Sequence, residues 1–306
     1  MRILKGCTEF HIEEETAVAI GKFDGVHIGH RKLISEILEK KKEGLSACVF
    51  TFDPPPDVLF GQRPPMELTT KEEKRILFER MGVDILIEFP LNLQTAAILP
   101  EQFVKEILSK QMRAGFVAAG SDLSFGRGGE GDSALLCRMQ KECGFQVQII
   151  DKICREGREV SSTYVREAVR EGRMELVREL LGSPYSISGE IVHGNKLGRR
   201  IGMPTINQLP SANKVLPPFG VYFSEVELEG SVYKGITNIG KKPTVSREEQ
   251  IGVETFLYNF NQDVYGDFAQ VRLFSFRRPE KKFADVQALK RQIREDIEAG
   301  LSFRGQ

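Results

Sequence analysis

The chain has four histidines, and two of them stand three residues apart in Gly21–His30, GKFDGVHIGH. Imidazoles can donate hydrogen bonds to an anion at neutral pH and can shuttle protons. The glycine between them removes a side chain and lets a ligand or a neighbouring group come close. The stretch sits between an apolar run, Thr16–Gly21, and a periodic segment with Leu33, Ile34, Ile37 and Leu38 on one side. It therefore reads as a strand-to-helix turn. Such a turn presents free backbone N–H groups and the positive end of a helix dipole, which together suit a phosphate. A second cluster, Ser161-Ser162-Thr163 with Arg166, opens another helical segment carrying Val165, Ala168 and Val169 inward. Ser161 or Ser162 could simply cap that helix. Three hydroxyls followed one turn later by an arginine also form a polyphosphate site, because a guanidinium makes paired hydrogen bonds.

Elements able to position these residues follow from periodicity. After the first strand and helix comes Ser46–Phe52, a β-branched and aromatic run stopped by Asp53-Pro54-Pro55-Pro56, which cannot continue a ladder. Thr70 and Glu73 have capping-box spacing for a helix through about Met81. Val83–Phe89 is the third strand. Pro100 opens a helix with Phe103, Val104, Ile107 and Leu108 inward, Phe116–Gly120 is the fourth strand, Ser133 opens a further helix, and Gln146–Asp151 is the fifth strand. Strands apolar on both faces, alternating with helices, imply a parallel sheet covered on both sides. Ligands of such sheets bind beyond the strand C-termini, where the histidine stretch, the Asp53–Pro56 loop and the Ser121–Asp132 loop all fall.

From Tyr185 onward the pattern changes to short strands with turns: Tyr185–His193, Gly220–Leu228, Val232–Asn238, Val253–Asn259 and Ala269–Arg278. That spacing argues for an antiparallel barrel or sandwich. A last helix, about Ala284–Ala299, carries Val286, Leu289, Ile293 and Ile297 as a stripe to pack on it. The boundary falls at Gly182-Ser183-Pro184, giving domains 1–182 and 183–306.

Composition is that of a globular chain: 306 residues, 41% hydrophobic, 28% charged, formal net charge zero. Zero net charge gives no bulk support for a nucleic-acid or anionic-membrane partner. The five cysteines are odd in number and form no C-x-x-C pair, which argues for reduced thiols in a cytoplasmic protein. Met1–Phe10 has no signal-peptide character, and there is no apolar run of 18 residues.

The pair H-x-G-H and S-S-T-x-x-R resembles the nucleotidyltransferase module of bacterial bifunctional riboflavin kinase and FAD synthetase, which moves AMP from ATP onto FMN. The resemblance implies a Rossmann-like domain in which His27 and His30 contact the ATP phosphates. It implies that Ser162, Thr163 and Arg166 hold the β and γ phosphates. Gly21, Asp24 and Gly25 match the family's loop, and Asp122 matches a position near nucleotide and flavin. Three residues differ from the family's habit: Pro55 stands where a histidine is usual, and Leu123 and Ser124 replace an aromatic and an arginine.

The second half resembles the riboflavin kinase module of the same family, an antiparallel β-barrel with a terminal helix. The longest match is Gly194–Asn207, followed in order by Gly220-Val221-Tyr222, Asn238-Ile239-Gly240, Pro243-Thr244, Val253-Glu254, Tyr265-Gly266 and Arg278-Pro279-Glu280. Here Phe256 stands where a histidine is common, and Ile206 replaces an alanine. By resemblance Gly194, Lys196 and Gly198 lie over the kinase nucleotide, and Thr205 and Asn207 hold Mg²⁺ with its phosphates. Glu254 takes the proton of the ribityl 5′-hydroxyl, and Arg278 covers the flavin. The implied function is phosphorylation of riboflavin to FMN, then adenylylation of FMN to FAD, both with ATP and Mg²⁺. Implied partners are small molecules, with oligomeric state open. Two other readings compete. One is a kinase whose adenylylation site has weakened, motivated by Pro55, Leu123 and Ser124. The other is a regulator that binds flavin or nucleotide without turnover. Thr205, Asn207 and Glu254 argue against the regulator, since binding alone needs no base.

Overall fold

A computed structural model describes residues 1–61, 66–194, 202–242 and 250–303. Lys196 and Gly198, most of the Gly194–Asn207 motif's first half, and Pro243-Thr244 lie outside the described residues. By compactness the chain divides into two units, Met1–Ser162 and Thr163–Gln306.

The first unit is a six-stranded parallel sheet. Its strands are β1 (Arg2–Lys5), β2 (Thr16–Ile20), β3 (Ser46–Asp53), β4 (Ile85–Pro90), β5 (Ala114–Gly120) and β6 (Gln146–Ile150), in the order β1-β4-β3-β2-β5-β6. Every pairing is parallel. Strand β2 shows why its sequence does not alternate polar with apolar. Val18 and Ile20 belong to one core cluster and Ala17 and Ala19 to the other, so both faces are covered. The chain runs outward from β2 through β3 to β4, then returns to β5 on the other side of β2. The order thus reverses between β2 and β5, where an open α/β sheet has its ligand crevice. Strand β1 went unread in the sequence because Arg2–Lys5 is an exposed edge with no buried residue.

Helix α1 (Ile28–Glu39) buries Leu33, Ile34 and Ile37. Helix α2 (Lys71–Met81) begins with the expected capping box. The Glu73 amide donates to Thr70 Oγ1 at 3.2 Å, and the Thr70 amide donates to Glu73 Oε2 at 2.9 Å. Pro100 starts the next helix as expected, with Phe103, Val104, Ile107 and Leu108 all buried. Helix α3 (Ser133–Cys143) is capped by Asp132, whose Oδ1 accepts from the Leu135 amide.

The second unit begins with helices α4 (Ser162–Arg170, its first residue assigned to the first unit) and α5 (Met174–Leu181). It continues as an antiparallel sheet of β7 (Tyr185–Glu190), β8 (Thr205–Gln208), β9 (Gly220–Leu228), β10 (Ser231–Lys242), β11 (Gln250–Leu257) and β12 (Phe268–Pro279). The order is β7-β12-β9-β10-β11-β8. The sheet curls until its two edges meet through an Ile191–Gln208 bridge, a Val192 N–H bonded to the Asn207 carbonyl at 2.7 Å and the Gln208 side-chain amide donating to the Gly189 carbonyl at 2.8 Å. It is a half-barrel closed at one corner. Strand β8 was legible only as a motif, since four residues are too short for a periodic signal. Helix α6 (Val286–Ser302) is capped by Asp285. Its Leu289, Ile293 and Ile297 face a cavity as the stripe requires, but Val286, in its first turn, is exposed.

No helix among the described residues is long and apolar enough to cross a membrane, and all five cysteines are free.

Replacing Thr70 by alanine removes one arm of the α2 box and should cost about 1 kcal/mol. Chemical denaturation should show the loss in the transition of the first unit, with Thr70→Ser close to wild type; an unchanged midpoint for the alanine variant would show that the box does not hold the helix.

Candidate functional site

The first site is built on a strained loop. Between β2 and α1, Phe23, Gly25 and Val26 all take positive φ, at 51°, 82° and 44°. For the β-branched Val26 that conformation is costly and persists only if the surroundings enforce it. They do. Asp24 Oδ1 accepts from the amides of Leu68 and Thr69 at 2.9 and 3.2 Å, the Gly25 amide donates to Thr69 Oγ1 at 3.0 Å, and Ser162 Oγ donates to the Asp24 carbonyl at 2.9 Å. Asp24, expected beside ATP, thus has one carboxylate oxygen spent on the neighbouring loop. Ser162 ties helix α4's start to that same loop.

What the loop presents is the histidine pair. The two rings stack at 3.7 Å between centroids and 18° between planes. His27 is the N-cap of α1, and its Nδ1 accepts from the His30 amide at 3.4 Å. A neutral imidazole that accepts at Nδ1 carries its proton on Nε2. His27 is therefore an Nε2–H donor. Burial lowers its pKa to about 4, although Asp122 pulls the other way. His30 is driven well below the ordinary histidine value, first by burial and then by the charges of His27 and Lys74. Its Nδ1 is sealed from solvent without a protein partner. Phe23 packs on the other side of His30, 5.0 Å between centroids. Gly29 leaves room for the stack, since a Cβ there would lie 3.2 Å from the His27 ring and press it aside by a few tenths of an ångström.

Asp122 follows β5, on the other side of the switch point, and its charge reaches His27. It also pairs with Lys152 at 3.4 Å, and Lys152 pairs with Glu159 at 2.8 Å. Thus Gly21, Asp24, Gly25, His27, His30, Asp122 and Ser162 gather in and beside the β2–α1 turn at the strand C-termini. Thr163 and Arg166 occupy the first two turns of α4. Pro55 opens a short helix, Pro56–Leu59, whose Asp57 pairs with Lys22 at 2.9 Å.

In the second unit the strand register assembles the site. Asn207 of β8 faces Glu254 of β11; Glu254 faces Asn238 of β10; Asn238 faces Val221 of β9; Val221 faces Arg278 of β12. Laterally paired residues lie on the same face of a sheet, so one rung brings together positions spread over seventy residues of sequence. Thr205, two residues before Asn207, is on that face as well. A cavity of about 300 Å³ is lined by Thr205, Val221, Asn238, Glu254 and Arg278, with Leu289 and Ile293 of α6 opposite. That is the lower end of the range for small-molecule pockets. Gly194 lies against Asn207, where a Cβ would come within 2.6 Å of the amide.

Arg278 is held rather than loose. Its guanidinium donates to both oxygens of buried Asp296 of α6, Nε to Oδ1 at 3.2 Å and Nη2 to Oδ2 at 2.6 Å. Asp296 escaped sequence reasoning. The available signal was an acidic residue beside Ile293 and Ile297 in an otherwise apolar stripe. Asn238, known beforehand only as part of a motif, is the rung's central polar member.

The chain thus pairs a histidine-bearing strand-to-helix turn at the switch point of a parallel sheet with an antiparallel half-barrel that carries an acid, an amide and a hydroxyl on one face, and comparison with known families gives its class as a two-domain transferase. Residues 9–164 match the family described as FAD synthetase, and residues 181–303 match riboflavin kinase. The chain is 38% identical over 296 residues to the bifunctional riboflavin kinase/FMN adenylyltransferase of Escherichia coli K12, covering 96% of this chain and 94% of that protein. It is 35% identical over 303 residues to the same-named protein of Bacillus subtilis, covering 95% and 94%. A crystal structure titled as a macrolide-efflux protein from Streptococcus pneumoniae has a TM-score of 0.87 and 28% identity over 99% of both chains. The chain belongs to the bifunctional riboflavin kinase/FMN adenylyltransferase family and carries both of its enzyme domains.

The sign of the histidine effect is testable. A group whose folded pKa lies below its unfolded value binds more protons when unfolded, so stability rises with pH between the two values. Lowering pH from 6.5 towards 4 should destabilise the first unit through His27. Nitrogen-detected NMR of the ring should find His27 neutral and Nε2-protonated from pH 6.5 down to about pH 5, one unit above its folded pKa of about 4; an imidazolium at pH 6 would refute the assignment.

Proposed function

We propose that the two steps run at separate sites with the following roles, and that the functional boundary lies at Gly182/Ser183. The supporting observation is that His27, His30, Asp24, Asp122 and Ser162 gather at one sheet edge, and Thr205, Asn207, Glu254 and Arg278 on one sheet face, each set with chemistry suited to its own nucleophile. In the half-barrel the nucleophile is an alcohol, which needs a base. Glu254 accepts the proton of the ribityl 5′-hydroxyl as that oxygen attacks the γ-phosphorus of ATP, giving FMN and ADP. Thr205 and Asn207 offer one hydroxyl and one amide oxygen on one strand face, the hard-oxygen donors Mg²⁺ takes. Bound there, Mg²⁺ supplies neutralisation of phosphate charge. Gly194, Lys196 and Gly198 cover the nucleotide. Arg278, fixed by Asp296, borders the flavin.

In the parallel-sheet domain the nucleophile is the FMN phosphate, whose second pKa is about 6, so it is already anionic at neutral pH. No base is required, and none of the matched residues supplies a free carboxylate for one. FMN oxygen attacks the α-phosphorus of ATP and pyrophosphate leaves. His27 and His30 act as neutral N–H donors at the α1 N-terminus, and Ser162, Thr163 and Arg166 hold the departing phosphates. Positioning and preorganised dipoles carry such a transfer. Gly21, Gly25 and Asp24 set the loop, with Asp122 beside the nucleotide. Five free cysteines and small-molecule substrates fit a cytoplasmic location.

Glu254→Gln should abolish FMN formation from riboflavin by at least about a hundredfold while leaving FAD formation from added FMN. His30→Ala should do the reverse. Chromatographic separation of riboflavin, FMN and FAD reads both. Loss of both activities in either variant would sink the two-site assignment, and FAD synthesis retained in His30→Ala would remove that residue's role.

A further inference from the structure

The adenylylation site raises an electrostatic problem. Its histidines are neutral, so of the phosphate-binding residues assigned above Arg166 alone carries a positive charge, yet the site must hold a triphosphate and a second phosphate. The other lysines described at this edge of the sheet are already neutralised: Lys22 by Asp57, Lys71 by Asp53 at 2.5 Å, and Lys152 by Asp122 and Glu159. Arg75 is committed to buried Glu88 through a bidentate pair of 2.9 and 2.5 Å. Lys74 alone among them has no acidic partner, and its positive field reaches His30.

The packing of α2 aims it there. Phe78, one turn on and on the same helix face, meets Phe23 edge-on at 5.6 Å, and Phe23 in turn packs on His30. Lys74 lines a shallow pocket at the C-terminal ends of β3 and β4 with Thr51, Pro55, Lys71 and Phe78 and three carboxylates, Asp53, Glu67 and Glu88, of which Asp53 is paired with Lys71 and Glu88 with Arg75. The histidine usual in the family's loop is absent there, with Pro55 in its place.

We propose that the Lys74 ammonium binds a phosphate oxygen of the substrates at the adenylylation site, supplying from α2 the point charge that the neutral histidines do not. The proposal rests on the adenylylation roles given above. Both candidate anions, the ATP phosphates and the FMN phosphate, present the same chemistry, and kinetics tells them apart.

The test uses full-length Lys74→Met, which keeps most of the aliphatic stem, Lys74→Ala, and Lys74→Arg, which keeps the charge. FAD formation is measured with ATP and FMN varied separately. Loss of a charge-assisted bond should raise one KM about tenfold to a hundredfold in the Met and Ala variants. Arg should recover most of that loss, with riboflavin phosphorylation and the unfolding midpoint of the first unit unchanged. A raised KM for ATP assigns Lys74 to the triphosphate; a raised KM for FMN assigns it to the acceptor. Two unchanged KM values, a fall in kcat alone, or an Arg variant as impaired as Ala would overturn the proposal. Wild-type protein that makes no FAD from added FMN would overturn the adenylylation reading instead.

Discussion

Two imidazole rings 3.7 Å apart can share a buried corner only if at least one is uncharged, and burial here holds both neutral. Much of the first unit's local structure follows from that stack. Gly29 clears space for the His27 ring. The His30 amide fixes which His27 nitrogen carries the proton. Phe23 seals the far side, at the cost of a positive φ in its own backbone. Asp24, Thr69 and Ser162 then hold the loop in a conformation that Val26 would not adopt unaided. The strain is local, and the sheet that flanks it is buried on both faces, which gives the rigidity to sustain it.

The half-barrel solves positioning by another route. Its polar residues are placed by lateral register, one per strand, so Asn207, Glu254, Asn238 and Arg278 meet because neighbouring strands pair without slipping at those positions. A one-residue slip would turn any one of them to the opposite face. Irregularity is confined to the β9–β12 pairing just beyond Val221. Helix α6 closes the cavity with apolar side chains, and Asp296 anchors Arg278 in place. A buried bidentate pair of this kind is more persuasive as a device for orientation than as a source of stability.

On the roles proposed for the two sites, the contrast between the halves follows from their nucleophiles. An alcohol must lose a proton, and a carboxylate stands on the kinase rung. A phosphate monoester is already anionic, and the adenylylation turn offers N–H donors and a helix dipole.

Much of this was open to reading from the chain alone. The parallel sheet came from apolar strands alternating with helices, the Thr70–Glu73 box from its spacing, and the family from motifs that occur in order over most of the length. These are local or serial properties, and local propensity carries them. Edge strand β1 and four-residue β8 were beyond reach, because neither buries enough periodic surface to leave a signal. Nor could spacing disclose that Asp24 serves a neighbouring loop, that Asp296 grips Arg278, or that Lys74 stands without an acid while Lys71 and Arg75 are paired. Such facts depend on which side chains long-range packing brings within a few ångströms. Residue types and order determined what chemistry the protein has available; only the tertiary structure decided which charges are neutralised, which proton sits on which nitrogen, and which residues share a face, because burial and register are properties of the assembled fold.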